Sequence, residues 1–205
     1  MIDIKNASCI KDNKVIFSNI DLTTNAKTIG IIGENGIGKS TFLLQFMGVN
    51  TRANKFMVLN HDLLKEKNID DFSIVFQDAK STLNPLFDIG RLMLFLAKDR
   101  KISNVKEKTL SFCEKFNLKD VWHSNPYELS IGESKKISLI MALVKQPKLL
   151  ILDELSAGLD EKSLINIMAY LKELDINIIL TSHDKRFLSL CDEIYEFKGD
   201  SLARN

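Results

Sequence analysis

The stretch Gly33-Glu34-Asn35-Gly36-Ile37-Gly38-Lys39-Ser40-Thr41 fits the phosphate-binding pattern G-x-x-x-x-G-K-[ST]. Gly33, Gly36 and Gly38 let the backbone turn without a Cβ clash, so successive N–H groups converge on phosphate oxygens where the following helix also points its positive end. The Lys39 ammonium is then expected against the β- and γ-phosphates of a nucleotide, and the Ser40 hydroxyl in one coordination position of Mg²⁺. A second source of chemistry is the pair Asp153-Glu154, which ends the apolar run Leu149-Leu150-Ile151-Leu152. With a phosphate loop upstream, Asp153 suits the Mg²⁺ shell and Glu154 suits polarisation of an attacking water. Gln77 and His183 also follow apolar runs. Gln77 could coordinate Mg²⁺ and the water, although alone a glutamine in that place is ordinarily solvated; His183 is expected at the γ-phosphate.

These side chains must be delivered to one edge of a sheet. Ile29 to Ile32 reads as the strand entering the loop, and Phe42, Leu43, Leu44, Phe46 and Met47 as the helix leaving it. Leu149 to Leu152 reads as a buried parallel strand, and Ile176 to Leu180 as another that ends at Thr181-Ser182-His183-Asp184. Ahead of the loop, Ile2 and Ile4 alternate with Asp3 and Lys5. Val15 to Phe17 and Ile20 to Leu22 continue that pattern after the turn Lys11-Asp12-Asn13-Lys14, which predicts an antiparallel β layer forming one wall of the site. Phe56 to Leu59 and Phe72 to Phe76 read as short strands, and Glu193 to Phe197 with Gly199-Asp200 as a last strand and turn.

From Asp78 to Tyr127 the pattern becomes helical, with Val105, Thr109, Phe112 and Phe116 at helical spacing. The run Leu92 to Ala97 is too apolar for a free surface and is either core or partly a docking surface for another protein. Ser130-x-x-Glu133 reads as a capping box that opens a helix with Ile137, Ile140, Met141 and Val144 on one face, and a helix start is also an anion site. Ala157-Gly158-Leu159-Asp160 turns the chain into a helix with Leu164, Ile167, Met168 and Leu171 inward.

Hydrophobic residues at 45% and charged residues at 27% describe an ordinary globular chain, and a net charge of +1 gives no whole-molecule argument for nucleic acid or acidic lipid. No apolar run approaches the roughly 18 residues of a spanning helix, and the start lacks the apolar segment of a secretory signal, so a cytoplasmic location is expected. Cys9, Cys113 and Cys191 are odd in number, far apart and without a ligand pattern, which favours three reduced thiols over a disulfide or a zinc site.

The phosphate loop, Gln77, Leu129 to Glu133, Leu149 to Glu154, Ala157 to Asp160 and His183 stand in the order and spacing of the ABC ATPases, and the chain resembles that superfamily along nearly its whole length. The resemblance implies an α/β P-loop fold: a mostly parallel core sheet, an N-terminal antiparallel β layer and an inserted helical subdomain. Residues 1–77 and 139–205 would form the nucleotide-binding core, and 78–138 the helical subdomain with the signature motif. It further implies two ATPase subunits, identical or not, sandwiching ATP and Mg²⁺. Asn35, Lys39, Ser40, Thr41, Gln77, Asp153, Glu154 and His183 would lie on one side, Ser130 and Gly132 of the facing subunit would complete the site, and Asp160 is counted among the nucleotide-binding residues.

The implied partners are a membrane permease docked over the Gln77 loop and the helical insert, and an extracytoplasmic substrate-binding protein, with no nucleic acid. Val75 to Pro85 and Pro126-Tyr127-Glu128-Leu129-Ser130 are similar, more particularly, to the ATPases of oligopeptide, dipeptide and nickel or metallophore importers. The implied function is ATP hydrolysis that powers such an importer from the inner face of the membrane.

Some positions depart from the family pattern. No aromatic stands near Ile10 or Lys11, and Phe17 is the only one before the loop. Base stacking is worth roughly 1–3 kcal/mol in nucleic-acid sites, so a relaxed nucleotide affinity or base preference is expected. Ile131 and Glu133 replace a glycine and a glutamine of the usual Ser-Gly-Gly-Gln, adding bulk and negative charge near the partner's γ-phosphate, and Leu155 stands where proline is common. A weakened contribution to the opposite site follows, relieved by Glu133→Gln. The end of the chain soon after His183 reads as a minimal subunit. Two other functions fit less well. A soluble ATPase of DNA repair or ribosomes would bring a long coiled coil or two ATPase units, and a basic stripe is absent as well. A weakly hydrolysing regulatory subunit is opposed by Glu154 and His183.

Overall fold

The computed structural model describes residues 1–66, 70–198 and 201–205. The turn expected at Gly199-Asp200 lies outside them. Strands β1 (Ile2–Lys11) and β2 (Lys14–Thr24) form an antiparallel hairpin. Its two turn residues, Asp12 and Asn13, have φ of 49° and 60°, the left-handed pair that matches the twist of a two-residue hairpin and that Asp and Asn tolerate. The expected antiparallel layer is therefore present. It also takes up β4 (Lys55–Val58) and β5 (His61–Asp62) from beyond the phosphate loop, giving the order β2-β1-β4-β5. Leu59 turns to φ 49°, and β4 ends before it.

The second sheet has the order β10-β9-β3-β8-β7-β6. Strands β3 (Thr28–Ile32), β6 (Phe72–Val75), β7 (Leu149–Asp153), β8 (Asn177–Thr181) and β9 (Glu193–Lys198) run parallel, and β10 (Ser201–Arg204) pairs antiparallel with β9 at the edge. The strand at Glu193 is thus not the last one. The short β10 offers only Leu202 and Ala203 as apolar residues, too little alternation to announce a strand. All five residues of β7 are buried, as expected of a parallel strand covered on both faces.

Between the two sheets lies an aromatic core in which Phe17, Phe42, Phe46, Phe56 and Phe197 meet mostly edge to face. Helix α1 (Lys39–Gln45) supplies Phe42, and Phe46 follows at its C-cap. The other face of the parallel sheet is covered by α5 (Ile131–Val144) and α6 (Glu161–Glu173), joined outward by α3 (Ile89–Arg100) and α4 (Val105–Lys115); α2 (Ala79–Thr82) and α7 (Lys185–Leu188) are single turns. Helix α5 runs unbroken through the 138/139 boundary expected between core and helical subdomain. Along Leu92 to Ala97, Met93 and Ala97 are buried while Leu94 and Phe95 are more than half exposed, so the run divides between core and surface. The three cysteines are free. Among the described residues no helix is long and apolar enough to cross a membrane.

Candidate functional site

Strand β3 ends at Ile32, and the chain wraps through the glycine-rich loop into α1. Gly38, the residue before the helix, has φ 112°, where an L side chain is strained. A Cβ there would also stand 2.9 Å from Ile16 Cγ2, so the β1–β2 hairpin rests directly on the loop. Lys39 is only 8% exposed. Its ammonium donates to the carbonyls of Gly33 at 2.8 Å and Glu34 at 2.9 Å, which draws the cation across the mouth of the loop.

The cleft above this loop is about 490 Å³ and is lined by Asn35, Gly36, Gly38, Lys39, Ser40 and Thr41 on one side. Gln77, two residues beyond β6, and Asp153 and Glu154 at the end of β7 line it as well. His183 reaches it from beyond β8, and Lys11 and Ile16 from the hairpin. The parallel register explains the convergence: β3, β6, β7 and β8 all point their carboxyl ends at this edge.

Thr181 organises the two acids. Its hydroxyl donates to Asp153 Oδ1 at 2.7 Å and accepts from the Glu154 N–H at 3.0 Å. Glu154 itself has φ 48°, a left-handed conformation that a non-glycine residue keeps only when its surroundings over-determine it. In that conformation its carboxylate lies 3.5 Å from His183 Nε2, which is 3.0 Å from Asn35 Oδ1. Glu154, His183 and Asn35 form a row across the cleft.

The donor set suits Mg²⁺. Ser40 hydroxyl, Gln77 amide and Asp153 carboxylate are hard oxygen donors on one cleft, and among the described residues no cluster of three or more His, Cys, Asp or Glu side chains exists to cage a metal alone. Few protein ligands beside a phosphate site are what a strongly hydrated cation uses.

Ser130, Gly132 and Asp160 do not line this cleft. They share a second concavity with Asn117, Ile131, Glu133, Lys136 and Gly158. The capping box at the start of α5 is formed: Glu133 Oε2 accepts from the Ser130 N–H at 2.9 Å and from its hydroxyl at 2.8 Å, while Ser130 Oγ accepts from the Glu133 N–H at 3.2 Å. The Ser130 backbone bond holds the Glu133 carboxyl below its usual pKa. Asp160 caps α6 through the Ser163 N–H and lies 3.6 Å from Lys136. Phe17, the one aromatic ahead of the loop, is fully buried under Phe42 and Phe197 and offers nothing to a base.

Two contributors escaped the sequence reading. Thr181 had a signal in its place at the end of a β run, two residues before His183. Lys135 had none, because it sits in a polar stretch at a helix start, yet it is 2% exposed and its ammonium is 2.6 Å from the carbonyls of both Glu154 and Ala157.

A family model described as ABC transporter matches residues 17–157. Among curated relatives, the oligopeptide transport ATP-binding protein OppF of Haemophilus influenzae is 30% identical over 77% of this chain and 52% of its own length. The dipeptide transport ATP-binding protein DppD of the same organism is 30% identical over 90% of this chain and 64% of its own. The chain thus spans about half to two thirds of these relatives. Among solved structures, the ATP-binding cassette MJ0796, captured as a dimer in a post-hydrolysis state with ADP and Pi, superposes with a TM-score of 0.86 over 98% of this chain and 96% of its own at 21% identity, a likeness of fold. The chain belongs to the ABC transporter family.

Proposed function

We propose that this chain is the ATP-binding and ATP-hydrolysing subunit that powers an importer, with peptides as the favoured cargo. The observation that carries the reading is the meeting of Lys39, Ser40, Gln77, Asp153, Glu154 and His183 in one cleft. Lys39 and the loop N–H groups bind the phosphates, and electrostatic positioning of this kind is most of phosphoryl-transfer catalysis. Asp153, oriented by Thr181, together with Ser40 and Gln77 would hold Mg²⁺. Held there, the ion would supply charge neutralisation to the nucleotide's phosphates. Glu154 orients the attacking water and draws on its proton, and His183, held between Glu154 and Asn35, contacts the γ-phosphate.

The same reading gives Ser130 and Gly132 to the nucleotide of a second ATPase, since they line a concavity separate from the first cleft. The MJ0796 cassette is a dimer in its post-hydrolysis state, and a dimer that forms on ATP is proposed for this chain. A permease docks over the 78–138 region, where Leu86, Leu94, Phe95 and Tyr127 are exposed, which makes the subunit peripheral on the inner membrane face. An extracytoplasmic binding protein would deliver the cargo. Peptides rest on the names of the relatives; nickel or a metal chelate rests only on the resemblance of Val75 to Pro85 and stands second.

The test is reconstitution with the cognate permease and second ATPase in liposomes, with peptide and nickel offered separately. Peptide-stimulated ATP hydrolysis is expected, and Glu154→Gln should lower turnover by about 100-fold or more, the usual worth of a general base, while ATP stays bound. Undiminished turnover in that variant, or stimulation by nickel alone, contradicts the reading.

A further inference from the structure

Helix α5 carries a lysine that no part of the cleft accounts for. Lys135 points inward, and among the described residues its ammonium has no carboxylate within salt-bridge distance. It donates instead to main-chain carbonyls of one short segment: Glu154 O at 2.6 Å, Ala157 O at 2.6 Å and, more weakly, Leu155 O at 3.5 Å. A buried cation is costly unless its donors are satisfied, and a lysine has three. Burial does push its pKa down, with the charges of Glu154 and Asp153 pulling the other way.

The segment it grips is the one in which Glu154 adopts its left-handed conformation. Thr181 holds the N–H side of Glu154 and Lys135 holds the carbonyl side. One wall of the same segment meets the start of α5: a Cβ on Gly132 would stand 3.0 Å from the Gly158 carbonyl oxygen. Residues 154–158 and the first two turns of α5 therefore touch at two places, through Lys135 and through Gly132.

We propose that Lys135 is a positioning residue for hydrolysis: by holding the carbonyls of Glu154 and Ala157 it aims the Glu154 carboxylate and ties it to the Ser130–Gly132 end of α5. The inference rests on the assignment of Glu154 as the group that orients water. It gives the two nucleotide sites of a dimer a mechanical link inside one chain. An anion engaged by Ser130 and Gly132 pulls on α5, and α5 carries the ammonium that sets the base of the other site.

The experiment compares wild type, Lys135→Met and Lys135→Gln in the assembled transporter, measuring kcat and KM for ATP, and measures amide hydrogen exchange of 154–158 in each variant. Methionine keeps the stem and removes the donors, so kcat should fall about tenfold or more with KM within about twofold, the signature of lost transition-state positioning. Exchange across 154–158 should rise. Glutamine keeps N–H donors without charge and should give an intermediate kcat at unchanged KM; if Lys135→Met does not fold, this fall in Lys135→Gln carries the test. Wild-type kcat in either variant that folds overturns the proposal, as does a loss in which KM rises as much as kcat falls. A wild-type complex without ATPase activity would sink the underlying assignment instead, and unchanged exchange at 154–158 in Lys135→Met would sink the positioning role by itself.

Discussion

At the scale of single residues, chemistry depends on backbone positions as much as on side chains. Gly38 combines φ 112° with a space closed by Ile16 and Phe17. Gly38→Ala should destabilise the protein by about 1–3 kcal/mol through strain and contact and weaken ATP binding, checked by thermal unfolding and nucleotide titration. Glu133 poses the opposite problem, a charge where the resemblance implies a neutral amide. Its carboxylate caps Ser130, and a glutamine oxygen can accept the same bonds, so Glu133→Gln keeps the cap and removes the charge. The expected result is higher ATPase activity of the assembled complex; no change or a loss would show that the capping carboxylate leaves the opposing phosphate undisturbed. Lys39, Ser40, Asp153 and Glu154 were legible in the sequence because their spacing from apolar runs is rigid. Lys135 was not, because its partners are main-chain carbonyls some twenty residues away, and no side-chain pattern records a carbonyl.

At the scale of elements, caps and close approaches decide which helix ends face the clefts. Ser130 caps α5 and satisfies the Glu133 N–H, so Ser130→Ala should cost about 1 kcal/mol of stability, read as a lower urea midpoint. Helix α3 is pinned through Gly90, where a Cβ would stand 2.5 Å from Trp122 Nε1. Gly90→Ala should destabilise by about 1–3 kcal/mol by overpacking, visible in the unfolding temperature, while the phosphate cleft at the carboxyl edge of the sheet, which neither Gly90 nor Trp122 lines, keeps its ATP affinity. The parallel strands and the amphipathic helices could be read from periodicity, since β7 is uniformly apolar and α6 alternates at helical spacing. The edge strands β10 and β5 could not, because short edge strands need only backbone pairing and little burial, and the enlistment of β4 into the N-terminal layer could not, because its partner β1 lies about fifty residues away in the chain.

At the scale of the whole molecule, two sheets with an aromatic core between them support one cleft edge, and the helical face supports another concavity that the first cleft does not use. Burial pushes the Cys113 thiol up to about 11 and the Cys191 thiol up to about 12. Both should resist thiol reagents in the native protein at pH 8 and react once it is unfolded, where a free thiol ionises near 8.5. The sign follows: the raised thiols favour the native state fully below the unfolded value, and that contribution is lost as pH rises towards 11 and 12. The most direct measurement of the central claim is calorimetric titration of the purified chain with ATP in the presence of Mg²⁺, beside Lys39→Ala. The account predicts saturable binding near one ATP per chain, weakened about tenfold or more when the buried ammonium is removed; absence of binding, or equal affinity in the two proteins, would contradict it.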